Sequence, residues 1–356
     1  MVPHYTKTHE NFKLNGKHYN AQTLKTLSET FLKGDVLYKK DIGAFLLNWL
    51  DNKDLIALKT SGSTGKPKTI TISKQRMINS AIATRDFFNL KPGDKALLCL
   101  PAHYIAGKMM LVRALIIGLE IDSIEPKSKL IIDKSKTYNF AAMVPLQLQS
   151  NLNSIDNIKT LIVGGAKVST ALTRTLQDLK TTVFETYGMT ETVSHIALKQ
   201  LNNFEAQQAS GVFKTLPGVT ISQNENNCLE IEAPLLSSEK VITNDVVKLH
   251  TKQTFEWLGR FDNVINSGGI KVFPEQIENT LQEKISNRFF IASEEDEKLG
   301  NRIILVVEGE KDSIISSVFN DLEPYKKPKY IYYLDAFAET TSGKIQRSKT
   351  LQLLKK

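Results

Sequence analysis

Thr60-Ser61-Gly62-Ser63-Thr64-Gly65-Lys66-Pro67-Lys68 concentrates hydroxyls, two glycines, two lysines and a proline into nine residues. It lies between two stretches of β-like pattern, 55–59 and 69–73. Glycines let consecutive amide N–H groups turn inward as an anion nest. The hydroxyls add donors for phosphate oxygens, Lys66 and Lys68 add charge, and Pro67 stiffens the exit. The pattern is not the mononucleotide loop GxxxxGK[ST]. Its first position is Thr60 rather than glycine, and Pro67 follows the lysine where a magnesium-binding hydroxyl would open a helix. The bland alternative is a polar hairpin turn.

Outward from this loop, short β-like runs alternate with helical patterns. Segments 55–59, 95–100, 139–144, 161–163 and 181–184 read as strands. Segment 73–88 reads as a helix with Met77, Ala81, Ile82 and Phe88 near one face. Segment 169–179 reads as another, with Ser169 as N-cap. This alternation predicts an α/β fold with mainly parallel pairing. The middle differs. Runs 219–222 and 228–232 flank Asn224-Glu225-Asn226-Asn227, and 246–249 and 254–258 keep the β character, so a hairpin within a small β subdomain is expected. After Gly259-Arg260, Pro274 opens a helix to about 284. Strands at 288–291, 303–308 and 330–334 complete a compact α+β tail. The reading is a large N-terminal α/β unit over 1–261 and a small α+β unit over 262–356.

A length of 356 residues suits two or three domains. Apolar residues make up 41%, enough for an ordinary core. The longest apolar stretches, such as 111–119, are too short and too interrupted for the roughly 20 residues a bilayer needs, so no membrane insertion is expected. The polar start carries no secretory pattern, and Cys99 and Cys228 have no metal or disulfide spacing. A cytoplasmic protein is the simplest reading. The net charge of +8 fits attraction of anionic ligands, or simply a lysine-rich solvated surface. Only Lys326-Lys327-Pro328-Lys329 is dense, and it lacks the interleaved aromatics of a nucleic-acid platform.

The loop at 60–68 resembles the phosphate-binding signature of the adenylate-forming superfamily, which holds acyl-CoA synthetases, nonribosomal adenylation domains and luciferases. Further resemblances follow in that family's order. They are Val163-Gly164-Gly165-Ala166, then Tyr187-Gly188-Met189-Thr190-Glu191-Thr192, then Thr243-Asn244-Asp245 with asparagine in place of the usual glycine. Next come Gly259-Arg260-Phe261-Asp262, Ser267-Gly268-Gly269 with Pro274-Glu275, and Thr341-Ser342-Gly343-Lys344. A single motif would be weak; an ordered series across 60–347 is not.

The resemblance implies a reaction between a carboxylate and the α-phosphorus of ATP, and assigns roles. Thr60 to Gly65, Lys66 and Lys68 would hold the β- and γ-phosphates. Glu191 would bind Mg²⁺, and Thr190 would touch the α-phosphate. Tyr187, beside Gly188, would stack on adenine, against a backbone opened by Gly164, Gly165 and Ala166. Asp245 and Arg260 would hold the ribose. Lys344 would bridge carboxylate and α-phosphate in the transition state. Asp262 would be the hinge that swings Lys344 out and brings Ser267, Gly268 and Gly269 towards a coenzyme A tunnel. Taken singly, most of these side chains would be solvated charges or packing residues; the shared motifs shift the balance.

Leu100-Pro101-Ala102-His103-Tyr104-Ile105-Ala106-Gly107-Lys108 resembles the family's acid-pocket loop, with Tyr104 at the place of the usual histidine. His103, Tyr104, Lys108 and His195 are candidates to face the acid. Segments 104–113 and 141–147 resemble o-succinylbenzoate–CoA ligases of menaquinone biosynthesis. That resemblance implies an aromatic keto-dicarboxylate, whose second carboxylate His103, Lys108, Arg113 or His195 could meet. Another carboxylic acid, a carrier-protein thiol in place of coenzyme A, or an inactive nucleotide-binding regulator are the competing readings.

Overall fold

The computed structural model describes residues 4–59, 69–204, 211–311, 313–339 and 345–354. The phosphate loop, Thr60–Lys68, and the segment 340–344 that carries Lys344 lie outside the described residues.

Eight α-helices are described: α1 (Ala21–Lys33), α2 (Leu37–Trp49), α3 (Lys74–Phe88), α4 (Ile105–Ile117), α5 (Pro145–Ser150), α6 (Thr170–Thr175), α7 (Pro274–Leu281) and α8 (Arg347–Leu353). The expected helix after Ser73 is α3. The Ser73 side chain accepts from the Arg76 amide, and Asn89 closes the far end at φ 53°. The expected helix after Ser169 is shorter than the pattern suggested, ending at Thr175. Pro274 opens α7 as expected, with Ile277 and Leu281 buried. Helix α4 is buried almost all round, Arg113 included, because it is packed between the sheet and α3.

Thirteen strands form one sheet. Its parallel part runs through Glu120–Ser123, Lys95–Leu98, Tyr138–Met143, Ile158–Val163 and Thr182–Gly188. From there it turns antiparallel, through His195–Gln200, Phe213–Thr215, Thr254–Arg260, Val241–Thr251, Cys228–Glu232 and Thr220–Gln223. The segment set apart in the sequence as a β subdomain is thus hydrogen-bonded to the edge of the main sheet, and its hairpin pairs Thr220 with Glu232.

The sheet curls sharply in this antiparallel part. Three strands separate Thr182–Gly188 from Val241–Thr251, which at about 4.8 Å per strand puts them near 19 Å apart along the ladder. Yet the Tyr187 hydroxyl meets the Asp245 carboxylate at 2.6 Å. Phe213 and Phe255, stacked at 5.3 Å, pack edge-on against the Tyr187 ring.

The strands around the phosphate loop, Leu55–Lys59 and Thr69–Ser73, form a separate antiparallel ribbon with Lys59 opposite Thr69. Beyond Arg260 a second sheet begins. It holds Ile265–Ser267, Ile270–Val272, Phe289–Asp296, Gly300–Glu308 and, parallel to the last, Tyr330–Leu334. Its core is distinct, built on Ile277, Leu281, Ile291, Ile303 and Leu305. Helix α7 meets the main sheet's side through Asn279, which donates to Thr170 at 2.8 Å, and Glu283 pairs with Arg174 at 2.5 Å just beyond it.

Candidate active site

The strand Ile158–Val163 ends in a loop where Gly165 sits at φ 86°, a conformation that favours glycine. Beside it, Thr182–Gly188 delivers Tyr187 and Gly188. A Cβ on Gly188 would fall 2.4 Å from the Ser194 carbonyl, so only glycine lets the next strand cross that closely. Gly165, Ala166, Tyr187, Gly188, Asp245 and Trp257 line one cavity of about 750 Å³. Lys167 also faces it, its ammonium 5.4 Å from the Trp257 ring centre. Burial, with Lys199 nearby, lowers the Lys167 ammonium from its ordinary range.

Asp245 is buried at the heart of this wall. Tyr187 Oη donates to its Oδ2 at 2.6 Å, and Trp257 Nε1 donates to its Oδ1 at 3.1 Å. Arg260 stands 3.8 Å from Oδ1, and the Thr243 hydroxyl accepts from the Asp245 amide at 3.1 Å. Burial, then the Asp245 charge, push the Tyr187 phenol far above its ordinary range, so it stays a donor. Each carboxylate oxygen keeps a lone pair for a further hydroxyl. Glu185, which lines the same cavity, accepts from the Val168 amide at 2.9 Å and pairs with Lys199 at 2.5 Å, which fixes the glycine loop to the sheet.

Thr190 and Glu191 occupy a single 3-10 turn, with the Glu191 side chain exposed. The chain then makes an uncommon move. Val193 has φ 69° and ψ −55°, and the Ser194 amide donates to the Thr192 carbonyl at 2.7 Å. This is a γ-turn of the strained hand at a β-branched residue, a conformation that costs about 1–3 kcal/mol. It throws Ser194 onto Ser80 of α3 at 2.7 Å and His195 towards α4.

His195 and Arg113 meet in the interior, 3.4 Å apart, both at least 90% buried. Burial, then the Arg113 charge, hold His195 well below the usual imidazole range. Burial brings Arg113 down to about 9, which leaves it charged at neutral pH. Among the described residues no carboxylate pairs with it. His103 and Lys108 have other engagements. His103 Nδ1 lies 2.8 Å from Asp41 of α2, its ring against Tyr104 at 4.1 Å, and Lys108 donates to the His103 carbonyl. Burial lowers the Lys108 ammonium from its ordinary range.

Ser267 ends a strand, half-buried, and Gly268 and Gly269 form the exposed hairpin turn after it at φ 59° and 82°; none of the three lines the nucleotide-sized cavity. Asp262 sits in the turn Phe261–Asn263, where its carboxylate accepts from Asn244 at 3.2 Å and lies 3.4 Å from Arg260. The candidates Thr60, Ser61, Gly62, Ser63, Thr64, Gly65, Lys66, Lys68 and Lys344 lie outside the described residues.

The donor set suits an adenosine phosphate: paired carboxylate acceptors for hydroxyls, an aromatic wall and a glycine-opened backbone. It also suits Mg²⁺ of the kind held by one carboxylate and substrate phosphates. Among the described residues Glu191 is exposed with no ion-pair partner, and no cluster of three metal-ligating side chains is found.

The family model for AMP-binding enzymes matches residues 14–228. The chain belongs to the AMP-binding enzyme family. An AMP-forming acyl-CoA synthetase/AMP-acid ligase II-like protein from Dyadobacter fermentans is 38% identical, with 93% of this chain covering 98% of that one at a TM-score of 0.62. The 2-succinylbenzoate–CoA ligase of Lactococcus lactis is 25% identical over 320 residues, 83% of this chain and 70% of that protein. The O-succinylbenzoate coenzyme A synthetase of Bacillus subtilis, solved with ATP and magnesium, shares the fold at 20% identity and a TM-score of 0.70, over 83% of this chain and 69% of that one.

Three features of this AMP-binding enzyme carry no motif. Trp257 and Asp41 act through partners elsewhere in the chain, Asp245 and His103, and the turn at Val193 is closed locally at a residue type that gives no sign of it. The only hint for Trp257 was its place two residues before Gly259-Arg260. No helix among the described residues is long and apolar enough to cross a membrane.

Proposed function

We propose that the protein is an ATP-dependent acid–CoA ligase that forms an acyl-adenylate and then a thioester, with o-succinylbenzoate as its acid. The observation that carries the nucleotide half is the Asp245 carboxylate, held by Tyr187 and Trp257 at the wall of the glycine-opened cavity. Its free lone pairs accept the ribose hydroxyls, with Arg260 beside them. Tyr187 and the Gly164-Gly165-Ala166 backbone sandwich the adenine. The loop from Thr60 to Lys68 holds the β- and γ-phosphates, and Thr190 meets the α-phosphate. Glu191 would hold Mg²⁺, which supplies positive charge that offsets the phosphates. Lys344 brings the carboxylate and the α-phosphorus together against their mutual repulsion.

For the acid, the buried Arg113 guanidinium supports a dicarboxylate. A buried charge without a counter-ion is costly, and a carboxylate from the substrate would supply one. The succinyl carboxylate, on its flexible arm, reacts, and the ring carboxylate meets Arg113. Lys108 and His103, tied to each other and to Asp41, shape the loop instead. The likeness to the Lactococcus relative supports the same acid. Coenzyme A-dependent AMP release from o-succinylbenzoate, beside benzoate and a fatty acid, tests this. Release with only the simple acids would overturn the choice of acid, and thioester formation only on a carrier protein would overturn coenzyme A.

Asp262 is proposed as the hinge between residues 1–261 and 262–356, since the first sheet ends at Arg260 and the second starts at Ile265. Asp262→Pro is expected to slow thioester formation at least about tenfold more than pyrophosphate exchange, because proline locks φ where rotation is needed. An equal loss in both half-reactions would remove the hinge assignment.

A further inference from the structure

The strained turn at Val193 delivers His195 into a small closed network on α3 and α4. Arg113 Nη2 lies 3.4 Å from His195 Nδ1, His195 Nε2 lies 3.4 Å from Thr84 Oγ1, and Arg113 Nε donates to Thr84 Oγ1 at 3.2 Å. The Thr84 hydroxyl donates to the Ser80 carbonyl at 3.0 Å, and Ser80 is held by Ser194 at 2.7 Å.

Only one assignment of protons satisfies this geometry. A guanidinium can only donate, so His195 Nδ1 must be the acceptor, and the ring is neutral with its proton on Nε2. That proton goes to Thr84 Oγ1, whose own hydrogen is already committed to Ser80. Burial beside a cation favours the same neutral form. Arg113 Nη1 has Met110 Sδ at 3.8 Å as a weak acceptor. Of five guanidinium N–H groups, two then have no partner among the described residues. The network thus holds one edge of the guanidinium and leaves donors over, the arrangement needed to present a planar fork to a carboxylate.

We infer that His195, with Thr84, is a positioning residue that orients Arg113 towards the second carboxylate of the acid, and so sets the enzyme's preference for a dicarboxylate. This rests on the reading of Arg113 as the anchor of that carboxylate. His195 acts through Arg113 and does not exchange a proton with the substrate.

The test is a ratio: kcat/KM for o-succinylbenzoate over kcat/KM for 4-oxo-4-phenylbutanoate, the same acid without the ring carboxylate. A ratio is independent of how much of a variant folds. In Arg113→Met the ratio is expected to fall at least about tenfold, the scale of one charge-assisted hydrogen bond. In His195→Leu, which removes the acceptor, it is expected to fall by a similar factor. In His195→Asn, which keeps an acceptor near Nδ1, it is expected to stay within about threefold of the parent, less than the loss of one such bond. Combining Arg113→Met with His195→Leu should add little, as the two act as a unit. If Arg113→Met lowers the ratio and His195→Leu does not, the positioning role is overturned while the carboxylate anchor stands. If Arg113→Met leaves the ratio unchanged, the anchor falls and the inference with it. Should His195→Leu give no folded protein, Thr84→Val removes the shared hydroxyl and decides the same question.

Discussion

Lys344→Ala is expected to lower acid-dependent ATP–pyrophosphate exchange by about a hundredfold or more, while ATP still binds. Removing one preorganised donor at a site of developing charge commonly costs about that much. In the proposed role of Lys344 the whole ammonium is lost between two anions that must approach each other. The flanks of the 340–344 segment are firmly held. Glu339 and Ile345 form a β-bridge, the Gln346 amide donates to the Ala338 carbonyl at 2.8 Å, and Arg347 pairs with Glu278 at 2.8 Å. Alanine at 344 therefore deletes a charge between held flanks, and the variant is expected to fold as the parent does. Equilibrium binding of ATP separates affinity from chemistry. Exchange at the parental rate would remove Lys344 from the first half-reaction.

Asp245→Ala is expected to weaken ATP binding by about a hundredfold to ten-thousandfold. Two hydroxyl hydrogen bonds to a carboxylate contribute about 1.5–3 kcal/mol each, and 1.4 kcal/mol is a factor of ten. The loss has a second part. Tyr187 Oη and Trp257 Nε1 both donate to this carboxylate, so alanine leaves a phenol and an indole without their acceptor in a largely buried wall. The parent should discriminate against 2′-deoxy- and 3′-deoxy-ATP, and Asp245→Ala should not. A variant that still distinguishes the deoxynucleotides would show that the ribose is held elsewhere. Thermal unfolding of the variant reads out the structural part separately.

Part of the cavity's lining was legible because it sits at strand ends, in loops whose residue types are demanded by the backbone. Gly165 and Gly188 are examples, one for its positive φ and the other for the crossing strand. The α/β alternation was legible for the same reason, since period and turn residues are local. What remained hidden depends on partners far along the chain. Asp41 meets His103 across 62 residues, and His195 meets Thr84 across 111. No pattern in a single sequence carries such pairings. Val193 was unreadable in a stricter sense, because a β-branched residue gives no sign of a positive φ. The join between the hairpin segment and the main sheet was also hidden, because edge pairing is decided by which edges lie free.

The curled sheet has a consequence for how substitutions should be sorted. The Tyr187–Asp245 hydrogen bond runs across the concave side like a bowstring, with Phe213 and Phe255 as the filling beneath it. Curvature there shapes the wall at which the ribose is proposed to bind. Trimming either phenylalanine would slacken the bow and be felt by the nucleotide, although neither hydroxyl nor carboxylate had been touched.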